Sequence, residues 1–359
     1  MESKPKDPND MMAHQIRSLV AGHADESGFS GVCLVKRGDD ILAHEAYGLA
    51  HRGFRVPNTV HTRFDIASVT KVFTAAAILR LIESGEVTLE TQIMPFLGID
   101  GTQISNDVTI FHCLTHTSGI ADDADEEAGE VYEALFVDSP NYAIRQTADF
   151  LPQFAHKQPV FPPGQGVRYN NCAFILIGLV IEKITGMSYR DYVRRNIFAL
   201  AGMDGADFCA MDEVNASFAE HYKRIDHDDG TIEWRKNIYS YPPVGSPDGG
   251  ATVTAMDLDR FMRSVVSGTL LGEEGSQLLQ RPHVLVEQHD DCTLMNGFAF
   301  EFKLDTDGQV LRMNKEGFNA GVSSMLAYYS TIDTTVVLLA NIEYSVWTML
   351  REIEALLFV

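Results

Sequence analysis

Apolar positions divide the chain into stretches with different periods. Residues 1–12 are polar and hold two prolines, so they are expected to form a mobile lead-in. A helix carrying Ile16, Leu19 and Val20 follows. Gly31 to Val35 and Ile41 to Tyr47 then read as two strands, and Gly38-Asp39-Asp40 between them is turn chemistry, so the pair predicts a hairpin. From Ala67 to Ser84 the period becomes helical. Val72, Ala75, Ala76, Leu79 and Ile82 share one face, and Gly85 ends the run. Helices and loops dominate to about residue 245, among them a buried helix over Phe174–Thr185, closed by Gly186, and an amphipathic one over Met187–Leu200. After Gly249-Gly250 strand patterns return: Phe298–Leu304, Val310–Asn314, Ser323–Tyr329 and Thr334–Ala340. Val346–Phe358 closes the pattern as a helix with Trp347, Leu350, Ile353, Leu356 and Leu357 on its apolar side.

Strands at both ends and helices between them predict an α+β fold. One antiparallel sheet is built from both chain ends and flanked by helices, with a mainly helical domain inserted. The expected boundaries are 13–70 and 246–359 for the sheet domain and 71–245 for the helical one. A length of 359 residues, above the usual single-domain size, agrees with two interleaved units.

Composition narrows the function. Apolar residues make up 45% and charged residues 22%, which are globular values and exclude wholesale disorder. The net charge of −22, with no Lys/Arg-rich run, excludes the usual nucleic-acid binders and disfavours anionic membrane surfaces. The longest apolar run, Cys172 to Ile181, is far short of the roughly 20 residues that span a bilayer. The five cysteines have no Cys-x-x-Cys spacing and fit reduced core thiols. The start of the sequence shows no apolar signal region, so the expected location is cytoplasmic. Neither the histidines nor any glycine loop has the spacing of a metal or phosphate site, so no metal or cofactor is expected.

Three short motifs carry possible chemistry. Ser68-Val69-Thr70-Lys71 opens the strong helix, where free N–H groups and the dipole favour developing negative charge. Lys71, three residues on, lies on the same face and can reach Ser68. A serine hydroxyl needs a base, and a partly buried lysine can be one. Tyr169-Asn170-Asn171 precedes the buried helix. Its phenol could relay protons, and Asn171 could bond Lys71 and a substrate amide. Lys315-Glu316-Gly317 lies at the end of a predicted strand, where the N–H of Phe318 could join that of Ser68 as an oxyanion donor. Alone, each also reads as ordinary structure: an N-cap serine, an N-cap asparagine beside a packed tyrosine, and a strand-end turn. The acidic stretch Asp122–Glu130 reads as solvated surface, with a cation site as the alternative. His116 reads as a structural loop histidine.

Taken in order, Ser-x-x-Lys, Tyr-x-Asn and Lys-x-Gly resemble the serine β-lactamase and penicillin-binding-protein superfamily. The similarity is greatest to the branch of class C β-lactamases, R61-type D,D-peptidases and family VIII carboxylesterases. Thr62-Arg63-Phe64-Asp65-Ile66-Ala67, Leu114-Thr115-His116-Thr117-Ser118-Gly119 and the run from Pro162 to Met203 resemble further family segments. The resemblance covers about residues 28–345. It implies a β-lactamase/transpeptidase-like fold, with Ser68 as the acylated nucleophile and Lys71 and Tyr169 sharing acid–base work. It also implies Asn171 as the orienting amide and Lys315, Gly317 and Phe318 along the substrate strand. The expected activity is a serine hydrolase acting on a small ester, amide or D-amino-acid peptide. A β-lactamase or D,D-carboxypeptidase is the alternative, and a catalytically idle scaffold is the third reading. The family's third motif usually carries Thr or Ser where this chain has Glu316. A glutamate there would repel a substrate carboxylate unless it turns outward or pairs with Arg312 or Lys315. Oligomeric state is not readable from these patterns.

Overall fold

The structure is a computed structural model and describes residues 8–125 and 128–358. Eight strands form the main sheet. In chain order they are β1 (Gly31–Arg37), β2 (Asp40–Tyr47), β3 (Val284–Gln288), β4 (Thr293–Asn296), β5 (Glu301–Leu304), β6 (Val310–Asn319), β7 (Val322–Tyr329) and β8 (Thr334–Ala340). Their spatial order is β2-β1-β8-β7-β6-β5-β4-β3, antiparallel throughout. The first and last strands of the sheet in chain order therefore pair with each other inside the sheet, one strand in from the β2 edge, with Gly31 opposite Ala340 and Arg37 opposite Thr334.

Alternation along the central strands makes two cores, because successive side chains leave opposite faces. Cys33, Val35, Met325, Ala327, Val336 and Leu338 face two helices, α1 (Pro8–Ser27) and, last in the chain, Val346–Leu357. Val32, Leu34, Leu326, Val337 and Leu339 face the larger core. That core holds α2 (Lys71–Glu83), α3 (Cys172–Thr185) and α4 (Ala255–Val266), and the terminal helix is labelled α5. The α3 helix is buried along most of its length because its sequence is apolar all round, and Gly186 closes it in the left-handed conformation at φ 67°. Among the described residues no single helix is long and apolar enough to cross a membrane.

The structure departs from the sequence reading in several places. Helix α1 begins at Pro8, so residues 8–12 of the expected lead-in are helical; residues 1–7 lie outside the described residues. Strands β3 and β4 were not expected. Four of the five β3 residues are exposed at the sheet edge, so no buried face imposes an alternating pattern. A charged ribbon, Tyr222–Asp226 with Ile232–Lys236, sits inside the stretch expected to be mainly helical. Strand β6 continues five residues past Asn314, so Lys315-Glu316-Gly317 lies within a strand and not in a strand-end turn. Asp123 is buried, and Asp122 caps backbone N–H groups, so the acidic stretch does not begin as solvated surface; residues 126–127 lie outside the described residues.

Candidate active site

Ser68 stands in a 3₁₀ turn, Ala67–Thr70, that leads directly into α2. Ala67 just before it has φ 42°, a left-handed conformation that costs a residue with a Cβ on the order of 1–2 kcal/mol. Such strain persists where the surroundings over-determine it. The Ala67 carbonyl accepts from the N–H of Gly250 at 3.3 Å, and Val69 N–H closes on Ile66 O at 3.0 Å.

One helical step places Lys71 under the serine. Its side chain is fully buried. Its Nζ donates to Ser68 Oγ at 3.1 Å, to Asn171 Oδ1 at 2.7 Å and to the Asp248 carbonyl at 2.6 Å. Tyr169 OH also donates to Ser68 Oγ, at 2.7 Å. Two ammonium groups lie near the phenol ring, Lys71 Nζ at 5.1 Å and Lys315 Nζ at 4.7 Å from the centroid.

The Tyr-x-Asn segment is fixed from outside the motif. Asp122 accepts from the N–H groups of Asn171 (2.9 Å) and Cys172 (3.0 Å) at the start of α3, and Asn170 Oδ1 accepts from Ala173 N–H at 2.7 Å. Asn170 and Asp122 therefore cap the helix, which frees the Asn171 side chain for Lys71. His116 is buried and tilted against Tyr169, its ring centroid 4.6 Å away, and its Nδ1 accepts from Asn170 N–H at 3.1 Å. Burial first, then the charges of Lys315 and Lys71, hold its pKa well below the usual histidine value, so it is neutral at pH 7.

Strand β6 supplies the third motif. Pairing with β5 stops at Glu301 opposite Asn314, so the edge of β6 beyond that point no longer carries a strand neighbour on that side. Lys315 is buried and pairs with Glu301 at 2.9 Å. Gly317 lies against the nucleophile's turn so closely that an added Cβ would sit 2.1 Å from the Ile66 carbonyl oxygen. Glu316 leaves the other face, as alternation requires. It accepts from Trp347 Nε1 of α5 at 2.7 Å and is bonded to neither Arg312 nor Lys315, the two partners considered from sequence. Arg312 goes instead to Glu354 at 2.6 Å and to Asn314. Phe318, 57% exposed, and Asn319 line the cleft that contains Ser68, Asn171 and Asp248.

The structure thus brings Ser68, Lys71, Tyr169, Asn171, Lys315, Gly317 and Phe318 to one cleft edge or its immediate surroundings. Sequence reasoning missed Asp122, the Asp248 carbonyl and Asp65. All five cysteines are buried free thiols, as expected for core residues.

Compared with known proteins, this architecture is that of a serine hydrolase in the β-lactamase and penicillin-binding-protein superfamily. The chain belongs to the beta-lactamase family, whose model matches residues 16–358. It is 26% identical over 346 residues to penicillin-binding protein 4* of Bacillus subtilis (strain 168), covering 91% of this chain and 71% of that one. It is 33% identical over 197 residues to esterase EstB of Burkholderia gladioli, covering 53% of this chain and half of that one. The crystal structure of a penicillin-binding protein from Bacillus halodurans superposes with a TM-score of 0.86 at 39% identity, over 96% of this chain and 99% of that one.

Proposed function

We propose that the protein is a carboxylesterase or amidase/D-amino-acid peptidase for small substrates, with Ser68 as nucleophile. The observation that carries this reading is the double attachment of Ser68 Oγ, to Lys71 Nζ at 3.1 Å and to Tyr169 OH at 2.7 Å. In the forward step Ser68 Oγ bonds to the substrate carbonyl carbon and its proton passes to the Lys71–Tyr169 pair. Negative charge gathers on the carbonyl oxygen, where the N–H groups of Ser68 and Phe318 are the assigned donors, each worth roughly 10²–10³ in rate. Collapse breaks the bond to the leaving group, which takes the proton from Tyr169. Water then bonds to the acyl carbon and gives a proton to the same pair; the bond from that carbon to Ser68 Oγ breaks, Oγ takes the proton back, and the acid leaves. Asn171 orients Lys71 and the acyl group, and Lys315 holds positive charge beside the phenol.

The ester or amide reading is supported by the similarity to esterase EstB. Glu316 serves Trp347 on the far face of β6, so its carboxylate is turned away from the cleft and would not repel a substrate carboxylate. The penicillin-binding relatives keep β-lactam or D,D-peptide hydrolysis as the second reading. We also place the protein in the cytoplasm, a reading supported by five reduced thiols. The test is hydrolysis of p-nitrophenyl butyrate and of a chromogenic cephalosporin by wild type and Ser68→Ala. Ester turnover that disappears in the variant supports the reading. Equal rates in both proteins would remove Ser68 from the mechanism, and turnover confined to the cephalosporin would favour the second reading.

A further inference from the structure

Beneath the cleft a path of hydrogen bonds and polar contacts joins the nucleophile's turn to the end of β6. Asp65 is 6% exposed, and its Oδ1 accepts from Ala67 N–H at 2.7 Å, the residue held at φ 42° before Ser68. Tyr241 is buried in the same cleft wall and interacts with the Asp65 carboxylate. Behind it, Asn237 Nδ2 donates both its protons, one to Tyr241 OH at 2.6 Å and one to the Ala320 carbonyl at 2.8 Å. Ala320 is in the turn between β6 and β7, two residues after Phe318. The path therefore begins at the backbone that presents Ser68 and ends at the backbone that presents Phe318.

We propose that Asp65, acting through Ala67 on one side and through Tyr241 and Asn237 on the other, is a positioning residue that sets Ser68 against Phe318. This rests on the reading of Ser68 as nucleophile and Phe318 as oxyanion donor. An ionised acceptor makes the stronger bond to a backbone N–H, which is what a strained alanine needs. The groups facing the carboxylate are the Ala67 N–H, the Tyr241 hydroxyl and the backbone of Gly250, while the buried, neutral His221 accepts from Asp65's own N–H at 3.3 Å. Burial without a named cation pushes the Asp65 pKa up to about 6. The native state thus keeps a costly ionised group at pH 7, which a residue serving stability alone would not need.

The test compares Asp65→Asn, Asp65→Ala and Tyr241→Phe with wild type. The readouts are kcat and KM for p-nitrophenyl butyrate, the rate of Ser68 labelling by a fluorophosphonate, and Tm at pH 7. Asp65→Ala is expected to lose roughly 30–100-fold in kcat and labelling rate with KM within about threefold, since a displacement near 1 Å costs about that much. Asp65→Asn, whose amide oxygen still accepts from Ala67, is expected to lose roughly tenfold while its Tm equals or exceeds that of wild type. Tyr241→Phe should slow labelling less than Asp65→Ala. The inference is overturned by labelling and kcat within threefold of wild type in Asp65→Ala. It is equally overturned by an Asp65→Asn protein whose loss of activity follows a fall in Tm. If the alanine variant does not fold, the asparagine variant decides. A wild-type protein whose Ser68 is not labelled overturns the proposed function instead, and is told apart because the variants then have nothing to lose.

Discussion

Gly317→Ala is the sharpest probe of how the site is assembled. The added methyl would lie 2.1 Å from the Ile66 carbonyl oxygen and 2.4 Å from Ser324 Oγ. The Ser324 hydroxyl can rotate, although it then gives up its bond to Ile66 O. The carbonyl is backbone in the approach to Ser68 and cannot rotate away. Cβ contacts below 3.0 Å are essentially never seen, so β6 and the nucleophile's turn must separate by about 0.9 Å. Overpacking of this kind costs roughly 1–3 kcal/mol in stability. A misplacement near 1 Å at a reacting centre costs about 10² in rate. The expected outcome is therefore a kcat for p-nitrophenyl butyrate about 100-fold below wild type, KM changed only a few-fold, and a Tm lower by a few degrees. Gly22→Ala in α1, where an added Cβ meets nothing within 4 Å, is the control and should leave kcat and Tm nearly unchanged or raise Tm slightly. A Gly317→Ala protein with wild-type kcat would refute the claim that strand and turn are fixed against each other.

Three further outcomes can be checked. Tyr169→Phe keeps the ring between Lys71 and Lys315 but loses the 2.7 Å bond to Ser68, so kcat should fall by roughly 10²–10⁴ with Tm little changed, read by steady-state kinetics and differential scanning fluorimetry. Glu316→Thr restores the residue type usual in the family, yet the side chain sits on the α5 face; no gain in cephalosporin turnover is expected, and loss of the Trp347 bond should destabilise by about 1–3 kcal/mol in urea unfolding. His221 is buried and its pKa is pushed down to about 3, so the unfolded state binds the extra proton between about pH 3 and 6.5 and stability is lost as pH falls through that window. From pH 6.5 to 4 this amounts to on the order of 3 kcal/mol, so the stability gap between wild type and His221→Gln should narrow by about that much over the window in urea titrations.

The parts of the site that were legible act through their own side chains. Ser68, Lys71, Tyr169, Asn171 and Lys315 carry distinctive chemistry, and their local motifs put them on elements with strong patterns. The Asp248 contribution to Lys71 is a carbonyl, which any residue would supply, so side-chain identity carries no signal for it. Asp122 was hidden by its neighbours, because it opens a run of acids that looks solvated while its own carboxylate caps α3. Glu316 was left with more than one placement, facing a substrate carboxylate, turned outward or paired with Arg312 or Lys315, for a different reason. Strand alternation would have put it opposite Lys315 and Gly317, but Val310–Asn314 was read as the whole strand. The central strands were legible because both their faces are buried and strongly apolar, whereas β3 is an exposed edge strand.

The pairing of β1 with β8 also sets a schedule for biosynthesis. The hairpin of β1 and β2 leaves the ribosome early, but the strand that completes its inner edge begins only at Thr334. At roughly 5–20 residues per second, the intervening stretch of about 300 residues takes on the order of 15–60 s to translate. A two-stranded hairpin is marginal alone, and its open edge is a template for wrong pairing. Nascent chains of this protein therefore pass through a long interval in which a chaperone can decide the yield. The same order delays activity: a chain stalled after α3 already carries Ser68, Lys71, Tyr169 and Asn171, but without β6 it lacks one wall of the cleft, so hydrolysis begins only once synthesis is nearly complete.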